Sequence, residues 1–258
     1  MSAIARGEVL GIPLAVSDYE SVMDWMDAAV GARTPVSVSA AAVNLVMSAR
    51  EDPAVMDAVL GATLVVPDGQ PLVWALHLLG HPAATRVYGP DLMAHYCARC
   101  ARTGTSMYLY GGRNKECVDL LARRLVERFP GLVIAGASAL PFRPLTEAVQ
   151  GRAVEEINAS GAQVVWVGTG QPRQELWMHA MRDRLDPPLL VAVGAAFDFH
   201  AGLKGQAPRW MQRTGLEWLY RLLSEPRRLW RRYLLLNPVF TWRALLQLVG
   251  LKRYETAP

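Results

Sequence analysis

Short apolar runs, rich in Val and aromatic residues, alternate along the first 200 residues with longer segments in which apolar residues recur at helical spacing. The clearest of those segments predict helices at Asp18–Val30, Asn114–Phe129 and Glu147–Asn158. The apolar runs predict strands at Val36–Ala40, Thr63–Val66, Ser106–Tyr110, Leu132–Ala135, Gln163–Val167 and Leu189–Val193. Strands that alternate with helices indicate βαβ units. The pattern therefore predicts an α/β fold, a mostly parallel sheet with helices on both faces.

Charge divides the chain into two regions of opposite sign. Residues 1–202 carry 16 Lys or Arg and 20 Asp or Glu, whereas residues 203–258 carry 11 Lys or Arg and 3 Asp or Glu. Four of the 8 Trp residues also lie in the second region. We therefore predict an α/β domain over residues 1–202, here called the body, and a helical, basic C-terminal appendage over residues 203–258. A basic, Trp-rich appendage favours binding to an anionic surface or to a phosphorylated substrate.

Composition excludes several protein classes. With 52% hydrophobic and 19% charged residues in 258 positions, the chain is neither disordered nor a collagen-like repeat. Its 3 Cys residues cannot form a disulfide framework, which favours a reducing compartment. The first twenty residues lack a long apolar run, so we expect no signal peptide and a location on the cytoplasmic side.

Glycines and acids follow four of the predicted strands, at the edge where α/β sheets bind their ligands. Glycine before a helix lets a phosphate approach backbone N–H groups, although each residue is also compatible with a simple turn or helix cap. Together they indicate a nucleotide-type ligand without naming the chemistry. The residues are Asp68, Gly111, Gly112, Gly168, Gly170 and Asp198.

An ordered set of motifs extends this pattern from Pro13 to Tyr233. The motifs are Pro67-Asp68-Gly69, Arg86 to Leu92 (RVYGPDL), Gly168 to Glu175 (GTGQPRQE), Gly215 to Arg221 (GLEWLYR) and Glu225 to Arg228 (EPRR). Each motif alone is weak, but the ordered set resembles the WecG/TagA/CpsF glycosyltransferase family. Gln206-Ala207-Pro208 is similar to the exopolysaccharide branch of that family.

The resemblance implies a function and a set of site residues. Family members transfer a sugar from a UDP-sugar to a polyprenyl-diphosphate-linked sugar, with inversion and without a required metal, as peripheral proteins on the cytoplasmic face of the bacterial inner membrane. Asp68 would be the general base, because inversion needs one group to take the proton of the attacking hydroxyl. Ala42 replaces the Thr usual in the family, which leaves open whether N-acetylmannosamine, its uronic acid or glucose is transferred. The implied substrate-binding residues are Asn44, Arg86, Gln174, Arg221, Arg228 and Arg231.

We expect no cofactor and no metal site. The chain has no Asp-x-Asp sequence, and its His residues lack a metal-ligand spacing. Cys97 and Cys100 lie in an apolar helical stretch, where buried cysteines are favoured over a zinc site. Backbone N–H groups near Gly111 and Gly170, together with arginines, would then stabilise the diphosphate charge.

The sequence of the appendage predicts three helical segments. Arg221 ends the first; Ser224 is predicted to cap the next, which carries Arg228 and Arg231 on one side. The stretch 233–251 is nearly apolar, but Arg243 and Gln247 form a polar stripe, and a central Arg costs about 2.5–3.5 kcal/mol on membrane insertion. We therefore predict a helix that lies on the membrane surface. The alternative is a helix packed in an oligomer interface, which would make the protein a homo-oligomer.

Two alternative functions are compatible with the same features of the sequence. A nucleotide-dependent oxidoreductase could be built on such a sheet, but the chain lacks a Gly-x-Gly-x-x-Gly turn after an early strand. A non-catalytic scaffold could use the basic appendage to bind a membrane or nucleic acid. The acidic body, and the apolar residues between the arginines, favour a membrane, so we expect no nucleic-acid partner.

Overall fold

A parallel sheet lies at the centre of the protein. The computed structural model describes residues 3–140 and 146–255, apart from the side chain of Arg232. Within these residues, six strands form the sheet, all parallel, and neighbouring strands in spatial order begin at Leu64, Val36, Leu189, Val164, Met107 and Ile134. This confirms the predicted fold class, and each predicted strand is present within one to three residues. The strands are β3 (Val36–Ala41), β4 (Leu64–Pro67), β5 (Met107–Gly111), β6 (Ile134–Ser138), β7 (Val164–Gly168) and β8 (Leu189–Ala192).

Helices cover both faces of the sheet, which is why its strands read as continuous apolar runs. Every residue of β3, β4, β5, β7 and β8 is buried. Alternate residues point to opposite faces. Trp166 packs with one helical layer, whereas its neighbours Val165 and Val167 pack with the other. The edge strand β6 is only partly buried.

Several helices of the body begin where the sequence offers a cap or a proline. Asp18 caps the first helix by accepting the Ser21 N–H at 2.8 Å, and Asn114 caps another by accepting the Cys117 N–H at 3.0 Å. Both helices match the predicted segments. The helices of the body are α1 (Tyr19–Gly31), α2 (Val43–Glu51), α3 (Pro53–Leu60), α4 (Gln70–Leu78), α5 (Gly89–Thr103), α6 (Lys115–Arg128), α7 (Glu147–Ala159), α8 (Arg173–Met181) and α9 (Ala196–His200).

An antiparallel hairpin at the start of the chain was not predicted. Its strands β1 (Arg6–Val9) and β2 (Ile12–Ala15) are four residues each and join through Leu10 and Gly11. Both turn residues have positive φ, +50° and +78°. Such turns usually contain Asn-Gly or Asp-Gly, and Leu at the first position gives no turn signal. A positive φ is strained for Leu10, and the complete burial of its side chain offsets that strain.

The appendage contains more helices than its sequence predicted. They are α10 (Arg209–Arg213), α11 (Glu217–Ser224), α12 (Pro226–Trp230), a π-helical turn (Arg231–Leu235) and α13 (Leu236–Leu248). The predicted cap at Ser224 was wrong, because its hydroxyl donates to the carbonyl of Tyr220 inside α11. None of the described helices combines the length and the apolar character needed to cross a membrane.

The last helix packs against the protein's own body. Phe240 is 3% exposed and belongs to the core beneath the hairpin and α2. The Gln247 amide accepts the Leu10 N–H at 2.8 Å and donates to the carbonyl of Glu8 at 2.9 Å. The predicted polar stripe on 233–251 is thus partly an internal contact. The opposite face of α13 stays apolar and exposed, with Trp242 at 63%.

Candidate active site

Asp68 lies at the carboxyl end of β4, directly after Pro67. Its backbone N–H donates to the carbonyl of Ala41 at 2.8 Å, which holds it beside the end of β3. Its carboxylate Oδ1 accepts the N–H of Gly89 at 2.6 Å, at the first residue of α5. Burial raises the pKa of Asp68, although the charge of Arg86 and the Gly89 hydrogen bond act in the opposite direction. Among the described residues, no hydrogen bond reaches Oδ2.

A small cavity surrounds Asp68. The sequence-predicted residues Asn44, Arg86 and Arg221 share its wall with Asp68, so the structure brings these four together. Residues of the appendage cover the cavity from above, and its volume is about 70 Å³. Ligand sites usually have volumes of about 300–1,000 Å³. The structure therefore shows a small cavity at Asp68 that the appendage partly covers, and the appendage residues are Gln212, Gly215, Glu217, Trp218, Arg221, Tyr233 and Asn237.

Arg86 connects the Asp68 loop to the appendage. Its Nε donates to the backbone carbonyl of Asp68 at 2.6 Å, and one terminal nitrogen lies 2.5 Å from the Glu217 carboxylate. Its guanidinium carbon lies 4.2 Å from the centroid of the Tyr88 ring. Glu217 also accepts the Tyr88 hydroxyl at 2.8 Å and is only 8% exposed. Arg86 is therefore held on several sides by protein groups.

Arg221 contributes a cation that is not neutralised by a close partner. Within the described residues, its guanidinium has no salt bridge and no hydrogen bond, and its carbon lies 5.6 Å from the centre of the Phe199 ring. Burial lowers the pKa of Arg221, but the charges of Tyr233, Tyr88, Glu217 and Asp68 raise that pKa, and the net direction is upward. Such a cation in a covered cavity suits an anionic ligand group.

A second and larger space lies beyond the ends of β5, β7 and β8; we call it the groove. It has a volume of about 1120 Å³ and includes four sequence-predicted site residues of the body, Gly112, Gly168, Gly170 and Asp198. Gly170 has φ +83°, and a side chain there would meet nothing within 4 Å, so its backbone is open to an approaching ligand.

The other glycines of this region are closely packed. A Cβ on Gly111 would lie 2.8 Å from the backbone of Gly168, and a Cβ on Gly168 would lie 2.5 Å from the Phe197 ring. A Cβ on Gly112 would lie 2.7 Å from Val118. These contacts, together with the positive φ of Gly111 (+126°) and Gly112 (+82°), explain why glycine stands at the three positions.

Gln174 is buried beneath the groove, although the sequence predicted that it binds substrate. It is 0% exposed; its Oε1 accepts the N–H of Gly194 at 3.0 Å and its Nε2 donates to Glu175 at 2.9 Å. The structure thus shows it supporting the end of β8. Gln171, which the sequence analysis did not select, lies in the groove wall and donates to the carbonyl of Ala40 at 2.6 Å.

Asp198 belongs to a chain of ion pairs that joins the body to the appendage. Both its oxygens accept from Arg113, at 3.1 and 3.0 Å, and Lys204 lies 3.3 Å away. Lys204 also pairs with Glu225 at 2.6 Å, and Glu225 pairs with Arg228 at 2.6 Å. Asp198 therefore orients basic groups at the rim of the groove.

A third space connects the cavity and the groove. Asn44 lines both this space and the cavity of Asp68, whereas Gln171 and Arg228 line both this space and the groove. Arg231, the last of the predicted arginines, also lines it. The third space therefore lies between the two sites, with Asn44 on its cavity side and Gln171 and Arg228 on its groove side.

Sequence reasoning missed Glu217 and Tyr88, although both stand inside motifs that it used. One signal was present for Glu217, since it is one of just 3 acids in the strongly basic appendage. Nothing local marks its partners, because Arg86 and Tyr88 lie 131 and 129 residues earlier in the chain.

Comparison with known proteins identifies the family. The profile of the glycosyl transferase WecG/TagA/CpsF family matches residues 7–254. The chain is also similar to the N-acetylglucosaminyldiphosphoundecaprenol N-acetyl-beta-D-mannosaminyltransferase of Bacillus spizizenii strain W23, with 32% identity over 173 residues. That match covers 67% of this chain and 65% of the relative, just under two thirds of the relative's length. Because the family profile spans nearly all of the sequence, the chain belongs to the glycosyl transferase WecG/TagA/CpsF family.

Proposed function

We propose that this protein transfers an N-acetylmannosaminyl group from a UDP-sugar to a polyprenyl-diphosphate-linked N-acetylglucosamine, in the synthesis of a bacterial surface or exopolysaccharide. Family membership supports the glycosyl transfer, and the name of the Bacillus spizizenii relative supports the two sugars. The observation that carries the proposal is the third space, which shares Asn44 with a cavity that holds a carboxylate and shares Gln171 and Arg228 with a groove that has an open glycine turn.

Asp68 would act as the general base. The acceptor hydroxyl attacks the anomeric carbon, its proton passes to Asp68, and the bond to the UDP oxygen breaks, so that UDP leaves with inversion. A carboxylate whose pKa is raised by burial is suited to take a proton near neutral pH. Its Oδ1 is oriented by the N–H of Gly89, which leaves Oδ2 for the acceptor.

The groove would hold the donor, and arginines would meet the developing diphosphate charge. The backbone beside Gly170 is open, and Arg228 lies in the wall that the groove shares with the third space. Arg231 and Arg221 extend the positive region toward Asp68. Fixed cations at the position where charge develops lower the barrier without reorganisation at the moment of reaction.

The exposed face of the appendage would rest on the inner-membrane surface, where the lipid-linked acceptor resides. Large apolar side chains are exposed there among arginines, which is the composition of interfacial helices. They include Trp210, Leu223, Trp230, Leu234, Leu235, Trp242, Val249 and Leu251.

The test is a transfer assay with purified protein, a panel of UDP-sugars and a short-chain lipid-diphosphate N-acetylglucosamine. We expect UDP-N-acetylmannosamine to be the preferred donor. Asp68→Asn should lower turnover about 10²–10⁴-fold, because it removes the base, while UDP binding measured by calorimetry stays unchanged. Asp57→Asn is the matched control, since Asp57 is an exposed acid of α3 outside the cavity and the groove, and it should keep near-normal turnover.

Two results would overturn the proposal. The first is absence of transfer from every UDP-sugar by the native protein, which would reject the activity. The second is near-normal turnover by Asp68→Asn, which would reject Asp68 as the base. A chelator added to the native protein should leave turnover unchanged if arginines alone carry the diphosphate charge.

A further inference from the structure

Glu217 is a buried acid in a basic, largely exposed appendage. It begins α11, and its two carboxylate oxygens reach different groups of the body, Arg86 at 2.5 Å and the Tyr88 hydroxyl at 2.8 Å. With 8% exposure it has little access to solvent, so these contacts replace its hydration. We call Glu217, Arg86 and Tyr88 the latch.

All three guanidinium nitrogens of Arg86 donate to protein groups. Its Nε donates to the carbonyl of Asp68, one terminal nitrogen pairs with Glu217, and the other is 3.5 Å from the carbonyl of Gln212 at the end of α10. The ring of Tyr88 covers one face of the guanidinium. Arg86 therefore ties the backbone of Asp68 to the appendage, which leaves few free donors for a substrate.

The latch also determines where Arg221 stands. Arg221 follows Glu217 by four residues in α11, so the two side chains lie on the same face of the helix. Both line the cavity of Asp68. Because Glu217 is held against the Asp68 loop, the guanidinium of Arg221 is held beside the carboxylate of Asp68.

We propose that Glu217 is a positioning residue, which docks α11 on Arg86 and Tyr88 and thereby closes the cavity with Arg221 beside Asp68. The statement that this closure serves sugar transfer rests on the proposed function. The cavity of about 70 Å³ is too small for a whole lipid-linked sugar, so the latch opens to admit the acceptor and then re-forms around its reacting hydroxyl, with the rest of the acceptor outside the cavity.

The charges of the latch act on Asp68 in opposite directions. Burial is the main influence and raises the pKa of Asp68; Arg86 lowers that pKa and Glu217 raises it. Removing the charge of Glu217 should therefore lower the pKa of Asp68, and the acidic limb of the kcat/KM profile should move to lower pH. The ionisable groups that face Asp68 are Arg86 and Tyr88 from the segment before α5, Glu217 and Arg221 from α11, and Tyr19 from α1.

The experiment compares Glu217→Gln and Glu217→Ala with the native protein. Gln keeps the shape and can still accept from Arg86, while its NH2 group donates to the Tyr88 oxygen in a reversed hydrogen bond, so we expect turnover within about tenfold of native and an acidic limb at lower pH. Ala removes the latch; kcat should fall about 10²-fold, because a misplacement of about 1 Å costs that much, while the KM for the UDP-sugar stays unchanged. Glu255→Gln, an exposed acid of the appendage, is the matched control and should behave as native.

Hydrogen exchange tests the latch without any turnover. In Glu217→Ala, the amides of α11 should exchange roughly tenfold faster or more, while those of β7 and β8 stay protected. Unchanged exchange in α11, or an acidic limb that stays in place in Glu217→Gln, would overturn the inference. If the native protein transfers no sugar, the proposed function fails, whereas the exchange result still decides whether Glu217 holds the appendage.

Discussion

Phe240 and Trp242 stand two residues apart on α13 and face opposite surroundings. Phe240 is 3% exposed and lies in the core formed with the hairpin and α2, whereas Trp242 is 63% exposed. The structure therefore assigns them different energetic roles. Replacing each by Ala should separate the docking of this helix on the body from its contact with a membrane.

Phe240→Ala should weaken docking. Phe→Ala in a core costs about 3–5 kcal/mol, and the lower end applies because a helix at the edge of the core can relax. A loss of about 3 kcal/mol corresponds to a factor of about 10² in the opening equilibrium. Amide exchange across Leu236–Leu248 should accelerate by that factor in exchange experiments followed by mass spectrometry.

Trp242→Ala should instead weaken membrane binding. An exposed substitution changes stability by about 0.5 kcal/mol or less. If about half of the exposed ring enters the lipid, its transfer contributes about 1–2 kcal/mol, and sedimentation with anionic liposomes should weaken about five- to thirtyfold.

The opposite pattern would refute the reasoning. If Phe240→Ala left the exchange of α13 unchanged and lowered liposome binding as much as Trp242→Ala did, the helix would not be docked on the body. Native secondary structure by circular dichroism is the control that both variants fold.

Two further predictions concern the packing of the body. Gly168→Ala should destabilise the protein by about 1–3 kcal/mol in urea unfolding, because its Cβ would lie 2.5 Å from the Phe197 ring. Gly151→Ala, inside α7 and with a nearest contact of 3.7 Å, should stabilise it by about 0.5–1 kcal/mol; equal effects of the two would contradict the packing argument. Burial raises the pKa of Cys100 to about 12, so a thiol reagent at pH 7 should leave it unlabelled until the protein unfolds; rapid labelling in the native state would show that the site is open.

The strands were predictable because each is buried on both faces, which makes it a continuous apolar run. The family was predictable as well, since its motifs keep their order along the chain. The hairpin was not predictable, because its strands are short and its turn uses Leu10 in place of a turn-forming residue. Local patterns carry no information about such tertiary compensation.

The packing of α13 on the body could not be predicted, because it uses contacts between residues that are far apart in the chain. Gln247 and its partner Leu10 are 237 residues apart, so the stripe of polar residues gave no sign that it would bind a hairpin. Gln174 shows the converse: its motif suggested a ligand contact, but its side chain turns into the protein to hold Gly194. A motif establishes that a residue matters, whereas the direction of its side chain follows from packing.

The order of the strands fixes a distance that loops cannot change. β4, β3, β8 and β7 are successive neighbours, and adjacent strands lie about 4.8 Å apart. Asp68 follows β4 and Gly170 follows β7, so three such steps, about 14 Å, separate the ends of the strands that carry the proposed base and the open glycine turn. A donor whose nucleotide lies at Gly170 must therefore extend across the ends of β8 and β3, so that its anomeric carbon reaches the acceptor hydroxyl beside Asp68. Changes in the loops can alter which sugars fit, while the separation of these strand ends remains set by hydrogen-bonded backbone.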